Sequence, residues 1–255
     1  MNEINFLDLS LEEAITLLPQ SEIKTKKITI NKCKLLNKEL NISKVKDLIY
    51  NFPYRFYDKR EFKKINEASR FFNQFILLTG VFKKFYEQNL GKKRVLKGVF
   101  ADATGSIEIT WFNHYNWVKD KIKTDIQYVL FGRVSYYKNY YIAHPEIKTL
   151  EKFLASEEYK HLHPIYSTTE RLAKAGLNSD GIMNFIKIVL PKAIESIKEP
   201  YPENILKRAN LITIQEALQN IHFPKTEKDH EKAIYRMKFS EAFDLQIFYA
   251  YQNAV

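Results

Sequence analysis

Three aromatic residues, Phe112, Tyr115 and Trp117, stand close together at the end of a short run of strict alternation, Ser106 to Phe112. In that run Ile107, Ile109 and Trp111 share one parity, while Ser106, Glu108, Thr110 and Phe112 share the other. The faces of a strand alternate, so the apolar set belongs to a core and Phe112 stands on an otherwise polar face. An outward ring there suits one kind of chemistry: stacking on the plane of a nucleic-acid base, worth about 1–3 kcal/mol per base. The competing reading packs Phe112 against the N-terminal helices and Trp117 against the floor of the fold. Cations lie nearby. Lys83, Lys84, Lys92, Lys93 and Arg94 cluster at one expected hairpin, and Arg133 and Lys138 at another, with Tyr136, Tyr137, Tyr140 and Tyr141 interleaved. Such groups neutralise phosphates and release counterions, which gives sequence-independent affinity. Alternatively, lysines on an exposed hairpin serve only to block edge-to-edge pairing.

The charge distribution bears on the partner. The formal net charge is +10. Residues 1–70 hold 14 Lys+Arg against 10 Asp+Glu, residues 71–150 hold 12 against 6, and residues 151–255 hold 14 against 14. The cationic excess therefore sits in the first two thirds, which points to a polyanion unless it merely solvates the surface. Other chemistries find little support. His161, His163 and Cys33 have no zinc-ligand spacing, so no metal site is expected. Asp102 and Glu108 are the only carboxylates that suggest a nuclease, but Asp102-Ala103-Thr104-Gly105 is ordinary turn chemistry, with Gly105 expected at positive φ. No serine stands in a nucleophile elbow, and no catalytic residue is expected. Of the seven glycines, Gly176 and Gly181 alone have P-loop spacing, and Ile182 and Met183 follow where Lys and Ser or Thr are needed. No cofactor is expected in this chain. A single cysteine excludes an intrachain disulfide, and the longest apolar runs fall far short of the ~20 residues of a membrane helix. A soluble, cytoplasmic, monomeric protein with no membrane partner is the natural expectation.

The elements that must position these residues are legible from periodicity. Residues 1–70 read as helical, with a capping box at Ser10-Leu11-Glu12-Glu13 and helices over 32–39 and 43–50. Strands are expected over 75–85, 94–102, 106–112, 128–136 and 140–147, with a helix over 114–126 between the third and fourth. Three strands, a helix and two strands is the order of an OB-fold, a five-stranded Greek-key barrel. Gly80, Gly98 and Gly132 suit its sharply bent strands. The last third returns to helix, with a second capping box at Thr213-Ile214-Gln215-Glu216. The expectation is an α+β chain of three segments: 1–70 helical, 71–150 an OB barrel, 151–255 a helical linker region. A long helix from Thr226 reaches Val255 without a stop signal, as if the chain continued.

Several strings together resemble one family. Lys46-Asp47-Leu48-Ile49-Tyr50-Asn51-Phe52-Pro53-Tyr54-Arg55-Phe56-Tyr57-Asp58, Asp102-Ala103-Thr104-Gly105 with Trp111-Phe112-Asn113, and His144-Pro145-Glu146 are similar to segments of RecG-type ATP-dependent DNA helicases. So are Pro164-Ile165-Tyr166, the stretch Ala217 to Pro224, and Arg236 to Ala242. The resemblance implies an OB wedge that splits the arms of forks and Holliday junctions. It also implies a motor domain after Val255 that would hold ATP and Mg, with those motor domains as partners within one polypeptide. Phe112 matches the aromatic that stacks at the branch point. Asn116 falls where the family's second stacking aromatic is expected, and Ile28-Thr29-Ile30-Asn31-Lys32 lacks the Gly-x-Gly-Pro-Lys hairpin of relatives. The rival is a stand-alone OB protein that binds single strands or tRNA.

Overall fold

The computed structural model describes residues 5–90, 93–112, 115–124, 126–156 and 158–254, without the side chains of Leu90, Lys93, Trp117, Lys119, Glu158 and Ala254. The chain divides into two compact units, Met1–Phe56 with Leu162–Val255, and Tyr57–His161. This differs from the three consecutive segments expected: the first and last stretches share one body, because their apolar faces meet across a gap in sequence that periodicity cannot span.

The first unit is helical. At the helix Leu11–Ala14 the Ser10 hydroxyl accepts from the Glu13 N–H while the Glu13 carboxylate accepts from the Ser10 N–H, the reciprocal cap its sequence predicts. Thr29 caps the helix Ile30–Leu40 and Thr213 caps Ile214–His222. Their apolar faces join Val45–Ile49 and Ser179–Glu195 in one core, where Leu36, Leu48, Ile186, Val189 and Leu218 have no exposed surface. Two buried polar groups are fully engaged. Arg236 donates to the Ile212 carbonyl (3.1 Å), Glu199 Oε1 (2.8 Å) and the Ser240 hydroxyl. His222 Nε2 donates to the Ile49 carbonyl (2.8 Å), so its Nδ1 accepts from the Tyr166 hydroxyl (2.9 Å). Burial, outweighing the Ile49 bond, lowers the His222 pKa to about 4 and keeps the ring neutral. No helix among the described residues is long and apolar enough to cross a membrane.

The second unit is a mixed six-stranded sheet with short helices. Its strands are β1 (Phe75–Leu90), β2 (Lys93–Ala101), β3 (Ser106–Trp111), β4 (Gln127–Tyr137), β5 (Asn139–Ala143) and β6 (Glu146–Thr149). They are ordered β1-β2-β3-β5-β4-β6, with a further pairing between β1 and β4; β3–β5 is parallel and the other pairings are antiparallel. Inward residues of alternating parity, Ile107, Ile109 and Trp111 among them, build the core with Phe82, Phe100, Leu130 and Ile142. Gly80 sits in β1 because a Cβ there would lie 2.3 Å from the Ala101 carbonyl oxygen of the neighbouring strand. The strand expected over 140–147 is in fact two. His144 takes φ +46° and Pro145 has no N–H to give, so the ladder breaks between β5 and β6. The helix expected over 114–126 is confined to Asn116–Lys121. Gly105 does not take positive φ. The turn is held instead by Asp102, which accepts from the Thr104 and Gly105 amides, the Thr104 hydroxyl and the Ile65 N–H.

Candidate nucleic-acid interface

The outward parity of β3 carries Glu108 and Thr110, and Phe112 continues it just past the strand end. Register supplies their neighbours. Lys97 of β2 lies opposite Thr110, and Tyr141 of β5 opposite Glu108. The β4–β5 hairpin turns on Lys138 at φ +60°, which sets Tyr137 against Asn139. Together with Gln88 of β1 these residues line a cleft of about 330 Å³. Phe112 is half-buried at its edge and lies outside the apolar core. Its N–H donates to His144 Nε2 (3.1 Å), and the two rings lie 5.7 Å apart.

The cleft floor is charged but balanced. Lys97 Nζ lies 2.6 Å from Glu108 Oε1, and the Tyr86 hydroxyl donates to Glu108 Oε2 (2.8 Å). Burial, then the bond to Glu108 and its charge, push the Tyr86 phenol above its usual range. Asp102 and Glu108 are therefore held in separate networks. Burial alone would raise the Asp102 pKa, but its hydrogen bonds outweigh that and hold the carboxyl low.

The sequence-derived candidates do not all converge here. Phe112 and Lys138 line the cleft. Tyr115 is drawn onto the sheet core instead, because it opens the helix Asn116–Lys121, whose Val118 is fully buried. Lys83 and Lys84 are exposed on β1, where the register slips between Phe82 and Lys84, a bulge that re-aims side chains. The Lys84 ammonium lies 5.9 Å from the Tyr86 ring centre. Arg94 is paired with Glu87 (3.2 Å). Arg133 is not at the hairpin tip. It lies opposite Phe75, and its guanidinium donates to the Asn73 carbonyl (3.2 Å) and side-chain oxygen (3.3 Å). Lys92 and the side chains of Lys93 and Trp117 lie outside the described residues. Gln88, Lys97, Asn139 and His144 were missed as site residues. Lys97 left a trace as a cation within the otherwise apolar run Val95-Leu96-Lys97-Gly98-Val99, and His144 left one only within the string His144-Pro145-Glu146.

Residues Gly176 and Gly181 do not fit a nucleotide phosphate. The Asn178 side chain already accepts from the Gly181 N–H (2.9 Å), and the following Ile182 is buried in the helical core.

The family model for the RecG wedge domain matches residues 22–186. The ATP-dependent DNA helicase RecG of Thermotoga maritima is 28% identical over 214 residues, spanning 82% of this chain and 26% of that protein. The RecG of Borreliella burgdorferi is 26% identical over 223 residues, spanning 84% of this chain and 31% of that protein. A solved structure of RecG bound to a three-way DNA junction matches 96% of this chain and 31% of its own, with a TM-score of 0.70 and 25% identity. The chain thus spans between a quarter and a third of the length of these relatives.

Proposed function

Because this chain belongs to the RecG wedge-domain family, we propose that it is the branched-DNA-binding module of an ATP-dependent helicase that remodels stalled forks and Holliday junctions. The observation that carries this reading is the Phe112 edge of the cleft, an aromatic on an outward strand face beside the cationic β4–β5 hairpin. At a branch point the terminal base pair loses a stacking partner. The Phe112 ring would replace it, while Lys84 and Lys138 attract the strand backbones.

The finer architecture supports the same reading. The pairings β1–β2, β2–β3, β3–β5, β5–β4 and β4–β1 run through five strands and return to the first, as a closed OB barrel requires. ATP and magnesium would be bound by a motor region of the longer polypeptide, which is the module's partner in cis. By this reading the module acts as a monomer in the cytoplasm.

The test compares a fork, a four-way junction, a plain duplex and a single strand of equal length by fluorescence anisotropy. The chain should prefer both branched substrates, and Phe112→Ala should cut that preference roughly 5- to 150-fold while leaving duplex binding nearly unchanged. Equal affinity for fork and duplex overturns the reading, as does a preference for single strands alone.

A further inference from the structure

We infer that the cleft beside Phe112 is a pocket for one unpaired nucleobase, with Tyr137 as its stacking wall. This rests on the branched-DNA reading and assigns a ligand group to the cleft itself. Size is the first argument. About 330 Å³ lies at the low end of small-molecule pockets, roughly 300–1,000 Å³, enough for a base but not for a duplex end.

Charge is the second. The Lys97 ammonium is already matched to Glu108 at 2.6 Å, and the remaining Glu108 oxygen takes the Tyr86 hydroxyl. A phosphate entering here would meet a carboxylate whose cation is spent, and displacing that ion pair would leave Glu108 unmatched. A neutral, planar group meets no such penalty. The phosphate of the same nucleotide would stay at the rim near Lys138.

The third argument is the character of the walls. Phe112, Tyr137 and Tyr141 supply ring surface, whereas Gln88 and Asn139 each carry a donor and an acceptor, and Thr110 a hydroxyl. That mixture suits the flat faces and polar edges of a base. The Tyr137 ring is 69% exposed although it lines a cleft, and the left-handed turn at Lys138 fixes the hairpin that presents it. The Lys138 ammonium lies 6.0 Å from that ring, close enough to follow a base into contact with its phosphate.

The experiment uses forks whose unpaired arm carries one abasic site, moved nucleotide by nucleotide from the branch, with binding read by anisotropy. One position should weaken binding by the parent chain roughly 5- to 150-fold. Tyr137→Ala should lose a similar factor on the intact fork and nothing further on that abasic fork, since both remove the same contact. Tyr137→Phe keeps the ring and should keep the affinity. If Tyr137→Ala binds the intact fork as the parent does, or if its loss simply adds to the abasic loss, the pocket is wrong while fork preference still stands. If the parent shows no fork preference, the functional reading falls and the pocket with it.

Discussion

His144 holds an uncommon backbone conformation for a purpose visible in its contacts. At φ +46° its N–H reaches the Thr110 carbonyl (3.0 Å), and its imidazole accepts from the Phe112 N–H. The ring must therefore carry its proton on Nδ1. His144→Ala removes the acceptor and strains a left-handed position, so fork affinity should fall roughly 2- to 10-fold by anisotropy, with duplex affinity little changed. Cys33 tests the helical unit at the same scale. Burial, with a smaller contribution from the Glu12 charge, pushes its thiol up to about 12, and the residue is buried in the core. A thiol-reactive dye at pH 8 should leave the native protein unlabelled and label it fully in denaturant; rapid native labelling would contradict that packing. The place of Phe112 on an outward face was legible because strand alternation is a local property. Its tie to His144 was not, since the partners lie 32 residues apart and meet only through the β3–β5 pairing.

Elements answer to backbone constraints that single residues reveal. A methyl at Gly80 would collide with backbone, which cannot rotate aside as a side chain can. Gly80→Ala should therefore destabilise the sheet by about 1–3 kcal/mol in urea unfolding, without altering any group of the cleft. In the helical unit, His222 ties the helix Ile214–His222 to the Ile49 carbonyl and to Tyr166. Its pKa falls from 6.5 unfolded to about 4 folded, so the unfolded chain binds the extra proton between those values. Stability from this group is complete above pH 6.5 and declines as the pH drops toward 4, by on the order of 3 kcal/mol. Urea midpoints measured across that window should fall for the parent and lose part of that slope in His222→Gln. Most strands and the longer helices were readable from period alone. The break at His144-Pro145 shows what period misses, because alternation continues through a residue whose neighbour cannot donate. Short helices such as Gln20–Thr25 and Glu203–Arg208 escaped for a related reason: each offers too few turns for a pattern to emerge.

Across the whole molecule, the proposed function divides the work: the cationic excess in residues 1–150 would give long-range attraction to DNA, and the cleft would give discrimination. These separate in a salt titration. Lys138→Ala should lower the slope of log affinity against log salt by about 0.9 on duplex arms, a change Tyr137→Ala should not produce. The surplus of charge was plain in the composition, but which cations face the cleft was not. Arg133 went to Asn73 and Arg94 to Glu87, pairings set by register and not by proximity in sequence. The two units leave one more mark. The helical body starts the chain, is interrupted by Tyr57–His161, and resumes at Leu162. On a ribosome adding about 5–20 residues per second, its opening helices must wait roughly 5–20 seconds for the partners that cover them. The inserted sheet, arriving whole in that interval, is free to settle first, so helices made before it are finished after it.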